Sequence, residues 1–382
     1  MRPSLTFLAV GALLATAAHA ATPEPAAGLS VPPGFIAQAI AHVPDARELT
    51  IAPNGDLFVG TYERSIYLVP DADISPGPAR IFVTVADARQ APAASVVIAS
   101  GILFIGAQFG VFRLPYETGD LSPRGEMDRI ADLRTSGTAR DHVTTTLAVA
   151  KGTLYASVGS SCNNCSPDLD ATRATIQAMH LDGKDMAPKA VRIRNAIALA
   201  VNPTTNALWA GVAGQDELEK GHPYEIFDDV TAHAGTVDYG WPYCYENHKA
   251  IGNHDCRMSA VPRVIFPAYE TPIGATFYPR NPHGPHAFPA AYRGGAFVTL
   301  HGSWHRPLVP PRVAFVPMRG DEPKTAVNWS DPNAQWSEFV GGFQKADGAR
   351  IARPTGIAVG PDGSLFVSDD QSGTIYRIRP QK

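Results

Sequence analysis

The stretch LTIAPNGDLFV (Leu49–Val59) holds a short apolar run, a turn at Asn54-Gly55 and a second apolar run. Asn-Gly between alternating apolar residues is the mark of a β-hairpin. The phrase returns as VVIASGILFI (Val96–Ile105), LAVAKGTLYA (Leu147–Ala156), LAVNPTTNALWA (Leu199–Ala210) and IAVGPDGSLFV (Ile357–Val367). A looser copy, TFYP followed by YRGGAFV, begins at Thr276 and ends at Val298. One hairpin cannot bury its apolar face alone, so the copies must pack on one another. Six copies imply an all-β fold, a six-bladed β-propeller closed so that few strand edges stay open.

The second strands of the copies are led by Leu57, Leu103, Leu154, Leu208, Phe297 and Leu365, spaced 46, 51, 54, 89 and 68 residues apart. A blade takes roughly 40–50 residues. Residues 34–382 therefore read as a single propeller domain, and the longer steps carry long loops, which in compact folds are usually functional. Net charge is −4 with no basic stripe, which argues against nucleic acid as a partner.

Residues 1–20 read as a signal peptide: Arg2, an apolar core from Leu5 to Ala18, and the small-x-small site Ala18-His19-Ala20. The apolar run is shorter than the roughly 20 residues that span a bilayer, so no membrane span is expected. The mature chain is expected in the periplasm or outside the cell. Residues 21–33 form a Pro/Ala-rich lead-in.

Four cysteines suit an oxidising compartment. Cys162 and Cys165 stand in SCNNC, and Cys244 and Cys256 share a polar loop. Pairing within each loop is the simplest of three possible connectivities, with a four-cysteine zinc site as the rival. Ser166 follows Cys165 where a c-type haem motif needs His.

In a propeller, loops at one end of the inner strands converge on the axis. Asp141-His142 precedes the third hairpin, and a His beside a carboxylate is a candidate general base. Arg194-Asn195 precedes the fourth hairpin in a comparable place, where a guanidinium would hold a carboxylate or developing oxyanion. The segment from Gly214 to Cys244 carries Asp216, Glu217, Glu225, Asp228, Asp229 and Asp238, read as an irregular acidic loop suited to Ca²⁺. His283, His286, His301 and His305 form a histidine-rich stretch, read as polar loops around the fifth blade or, less simply, as a transition-metal site. Arg306 and Arg353 add cationic character to the expected channel mouth.

The order DH–hairpin–GSSCNNC, IRN–hairpin–GQDEL, YGWP, HGSWHR and RPTGIAVGPDGSLFVSDD resembles the sorbosone dehydrogenase-like branch of the soluble quinoprotein sugar dehydrogenases. The resemblance runs from about Gly34 to the C-terminus. It implies a propeller holding pyrroloquinoline quinone (PQQ) over the axis, with Ca²⁺ bridging cofactor and protein. It assigns His142 as the base for the sugar hydroxyl and Asp141 as its orienting group. Arg194 would polarise the quinone oxygen, with Asn195 beside it. Gly214 and Gln215 would offer carbonyls to the cofactor's Ca²⁺, and Glu225 and Tyr239 would belong to a structural Ca²⁺ loop. Arg353 would pair with a PQQ carboxylate, and Arg306 similarly.

The chain departs from the family pattern in Ser160-Ser161, where an Asp-Gln pair is usual, in His305, where Asn is frequent, and in the want of a lysine near Leu300. The sequence carries no cytochrome domain, so a separate cytochrome or quinone is the expected electron acceptor. The expected activity is PQQ-dependent oxidation of an aldose or aldehyde-like sugar. The alternatives are a non-catalytic propeller that binds carbohydrate or protein, and a Ca²⁺-dependent lactone hydrolase.

Overall fold

The computed structural model describes residues 24–135, 141–165, 168 and 170–381. The expected signal peptide, residues 21–23 of the lead-in and Ser166 lie outside them. The described residues form β-strands and three short 3₁₀ helices, with no α-helix. Among them no helix is long and apolar enough to cross a membrane.

Each repeated phrase forms the expected hairpin. Leu49 pairs with Val59 and Ile51 with Leu57, Val96 with Ile105, Leu147 with Ala156, Leu199 with Ala210 and Ile357 with Val367. The looser copy also pairs, Thr276 with Phe297. Ser100-Gly101 and Lys151-Gly152 both have positive φ at both positions, the type I′ geometry whose twist matches the flanking strands.

Each hairpin extends into an antiparallel meander. The first runs through Ala46–Ile51, Leu57–Thr61, Ser65–Val69 and Arg80–Thr84. The next, Ala93–Ala99 to Asp128–Asp132, joins it through the single pair Thr61–Ala93. The others begin at Thr145–Ala150, Ala196–Val201, Pro272–Phe277 and Pro354–Val359. The last is completed from far away: Phe35–His42 pairs with Thr374–Pro380 as its outer strand. The Pro/Ala-rich lead-in is docked from residue 24 onward, with Glu24 paired to Ala39 and Ser30 to Gly341.

The first strands of the meanders lie side by side in chain order, and Pro354–Val359 lies beside Ala46–Ile51, so the series closes on itself. The buried side chains fall into clusters that each join two consecutive meanders. Phe58, Ile66 and Leu68 pack with Val96, Leu103 and Phe112, while Trp209, Phe227 and Phe266 pack with Ala275, Phe277 and Val298. Both faces of each sheet are thus covered by neighbours, which explains why the strands read as near-continuous apolar runs. A hollow of about 310 Å³ is lined by residues from all the first strands, among them Thr50, Val97, Ala148, Ala200, Thr276 and Ala358.

One expectation fails here. Glu225–Asp229 is a regular strand, paired with Leu208–Val212 and Val264–Phe266, and not part of an irregular acidic loop. Its carboxylates have local partners. Asp228 accepts from the Tyr239 hydroxyl (2.8 Å), and Asp229 caps the 3₁₀ helix Val230–Ala232 through the N–H groups of Thr231 and Ala232.

Candidate active site

First strands start, and second strands end, at the same end of the sheets. Residues just before the former and just after the latter therefore meet there. They line a cavity of about 450 Å³. His142, Arg194-Asn195 and Arg353 arrive from before first strands, and Gly214 and His301 from after second strands. Of the residues expected at the site, His142, Arg194, Asn195, Gly214, Glu225 and Arg353 share this cavity.

His142 sits at φ 47°, packed over Gly159. A Cβ on Gly159 would lie 2.4 Å from the His142 Cβ and 2.4 Å from the Asn195 Oδ1. The ring Nδ1 is 2.9 Å from the Ser160 carbonyl oxygen and 3.1 Å from its Oγ. A carbonyl only accepts, so Nδ1 carries the proton and Nε2 the lone pair. Burial, reinforced by Arg194, lowers the imidazole to about 3, so it is neutral at ordinary pH. The ring is held by Ser160 and not by Asp141, which is exposed and offers its carbonyl to Arg173 (3.1 Å).

The Arg194 guanidinium is buried and held on several sides. It donates to the Asn163 carbonyl (3.0 Å) and Oδ1 (3.0 Å), to the Ala213 carbonyl (3.2 Å) and to Asp216 (3.4 Å). Asp216 also lies 3.5 Å from His305. Arg353 reaches the His301 Nδ1 (2.7 Å) and the Gly302 carbonyl (3.1 Å). His301 Nε2 then donates to Asp370 (3.0 Å), which also accepts from Arg47 (2.8 Å). Burial alone would raise the Asp370 carboxyl, but His301, Arg47 and Arg353 outweigh it and hold the group well below the usual carboxylate range.

Arg47, Asp370 and the place of His301 in this chain were not anticipated. Arg47 and Asp370 lie 323 residues apart. The available signal was position, since Arg47 stands just before the first hairpin as Arg194 does before the fourth. The histidine-rich stretch divides: His301 and His305 line the cavity, whereas the His286 N–H bonds to the Asp362 carbonyl elsewhere (2.9 Å).

Arg306 is exposed at the rim, stacked 4.8 Å above the Tyr269 ring. Glu225 accepts from the N–H groups of Gly214 (2.7 Å) and Tyr269 (3.0 Å), and burial pushes it up to about 8 against their pull. Tyr239 and Gln215 line a separate hollow that is largely apolar. The Glu225 and Tyr239 side chains thus have different partners. The cysteines pair within their loops, Cys162 with Cys165 and Cys244 with Cys256.

The cavity lies in the size range of small-ligand sites, roughly 300–1,000 Å³. The Arg47 Nε is buried with no partner among the described residues, and the Arg47, Arg194 and Arg353 guanidiniums line one space. That donor set fits a flat polyanion such as PQQ with its three carboxylates. The set for a hard cation is thinner. Among the described residues no three His, Cys, Asp or Glu side chains are grouped to hold a metal.

A family model described as TrAA12-like matches residues 221–381. An uncharacterized protein of Borreliella burgdorferi is 28% identical over 235 residues, 60% of this chain; the match spans 58% of that protein's length. The holo form of the pyranose dehydrogenase PQQ domain from Coprinopsis cinerea superposes with a TM-score of 0.77 at 17% identity, over 94% of this chain and 98% of that one. A calcium structure of a family AA12 carbohydrate-active enzyme from Trichoderma reesei gives 0.74 at 17% identity, over 93% and 97%. The PQQ-bound aldose sugar dehydrogenase of Streptomyces coelicolor gives 0.62 at 15%, over 92% and 100%. Over more than nine-tenths of its length, the chain has the fold of these proteins.

Proposed function

We propose that this protein is an exported, PQQ-dependent dehydrogenase on a six-bladed β-propeller, oxidising an aldose or aldehyde-like sugar of the sorbosone type. The closed series of first strands supports the blade count. The observation that carries the activity is the pairing of a fixed histidine lone pair with three guanidiniums in one cavity.

In this reading Arg47 and Arg353 hold carboxylates of the cofactor, and Arg194 faces its reacting oxygen with Asn195 beside it. Bound there, the quinone supplies the hydride acceptor. His142 Nε2 takes the proton of the sugar hydroxyl, while Ser160 keeps the proton on Nδ1 and so preserves the working tautomer. An imidazole at about 3 is a weak base. The negative charge of a bound cofactor offsets Arg194 and moves His142 toward the working pH. Gly214, which lines the cavity, would offer its carbonyl to a Ca²⁺ ion. Electrons leave to a separate cytochrome or quinone.

The test is reconstitution. The purified protein is given PQQ and CaCl₂, and reduction of an artificial dye is followed with a panel of aldoses. Sugar-dependent dye reduction is expected, lost in His142→Ala with PQQ uptake retained. Uptake without turnover on any sugar would favour a binding protein, and unchanged turnover in His142→Ala would remove the base assignment.

A further inference from the structure

The proposed chemistry gives the cysteines and asparagines of the SCNNC loop no task. Its disulfide closes a short loop immediately beside the cavity. Asn163, inside that loop, makes contacts in several directions. Its carbonyl accepts from Arg194 Nε (3.0 Å) and from the Trp241 indole N–H (3.2 Å). Its Oδ1 accepts from Arg194 Nη2 (3.0 Å) and the Asp216 N–H (2.8 Å), and its Nδ2 donates to the Asp216 carbonyl (3.2 Å). One side chain and its own main chain thus grip the guanidinium in a two-pronged fashion.

The foot of the same loop holds the histidine. Ser160 accepts from His142 Nδ1 through its carbonyl, and its hydroxyl donates to the Cys162 carbonyl (2.7 Å). Its N–H donates to the Arg194 carbonyl (2.8 Å). His142 and Arg194 come from consecutive meanders. The loop touches both.

We infer that Cys162–Cys165 is a positioning element, in which Asn163 aims Arg194 into the cavity and Ser160 sets the tautomer and direction of His142. Asn163 and the two cysteines touch no substrate in this scheme; they act through Arg194 and His142. The inference rests on the reading of those two residues as the working pair.

The test uses Asn163→Ala, Asn163→Asp and the double variant Cys162→Ser/Cys165→Ser, each on the full chain. PQQ uptake with Ca²⁺ is titrated by absorbance, histidine ¹⁵N shifts of the cofactor-free protein report the His142 tautomer (assigned with His142→Gln), and thermal unfolding reports stability. Asn163→Ala should weaken uptake at least ~10-fold, the worth of one charge-assisted hydrogen bond. Asn163→Asp, which keeps the Oδ acceptor, should recover most of it. The double variant should lose the fixed Nδ1–H tautomer. Unchanged uptake in Asn163→Ala, or an unchanged tautomer in the double variant, overturns the inference even where unfolding temperature falls. If the parent protein takes up no PQQ, the cofactor reading fails, and the tautomer in the double variant alone decides the positioning role. If the double variant does not fold, the Asn163 pair carries the decision.

Discussion

Gly159→Ala is the most economical perturbation of the site. Gly159 does not lie in the left-handed region, so its backbone accepts alanine and the change tests space alone. The new methyl would stand 2.4 Å from the His142 Cβ and 2.4 Å from the Asn195 Oδ1, where ordinary contact begins near 3.4 Å. Both neighbours must retreat by about 1 Å, or the sheet must open by that amount. Overpacking of this kind costs roughly 1–3 kcal/mol, against a typical domain stability of about 5–15 kcal/mol, so the variant should fold. Misplacing a reacting group by about 1 Å costs on the order of 100-fold in rate. The expected result is a small drop in unfolding temperature with turnover of the reconstituted protein down about 100-fold. The assays are thermal unfolding and dye reduction with PQQ, Ca²⁺ and the best aldose found. Turnover equal to the parent's in a folded, cofactor-loaded Gly159→Ala would refute the packing of His142 as the source of its competence.

Three further outcomes follow from the same geometry. Asp370→Asn strips Arg47 and His301 of their anion; breaking such a pair costs roughly 3–5 kcal/mol, read by urea unfolding at neutral pH. Because the folded Asp370 is held below its unfolded value of about 3.9, its stabilisation is present above that value and lost as pH falls through the lower one. The variant should therefore show a shallower acid loss than the parent. His142 stays neutral in the fold down to about 3, whereas its unfolded value is 6.5. The unfolded chain binds the extra proton between those values, so this group makes stability rise with pH across that window. His142→Gln should remove that part of the slope in unfolding measured across the window. Glu225→Gln sets an amide donor against one of the two main-chain N–H groups that the carboxylate accepts, at a cost of about 1–3 kcal/mol by chemical unfolding.

The local grammar was readable and the long-range pairing was not. Asn54-Gly55, Ser100-Gly101 and Lys151-Gly152 announce their hairpins because turn chemistry acts over neighbouring residues. The cavity residues His142, Arg194 and Arg353 were found because each stands just before a repeated strand. Arg47 and Asp370 escaped because their meaning lies in a contact across 323 residues. The strand Phe35–His42 escaped for the same reason: its partner is Thr374–Pro380, and nothing beside it in the chain signals the pair. Glu225–Asp229 was misread because clustered carboxylates suggest a loop. In the fold, every residue of that strand but Ile226 is buried, and its acids are satisfied by Tyr239, Gly214 and a 3₁₀ cap.

The union of Phe35–His42 with Thr374–Pro380 carries a consequence for how the molecule is made. During synthesis the early strand waits, its hydrogen-bonding edge unmatched, until Thr374–Pro380 has been added. The first meander waits too, because its core is shared with Ala358, Phe366 and Ile375 of the final sheet. Phe35, which packs edge-on against Phe288 and Phe339, lies on the strand that Thr374–Pro380 pairs with. Zipping of that seam must follow synthesis of Thr374–Pro380, and a ribosome-stalled chain halted before Thr374 should expose the unclaimed segment to proteases.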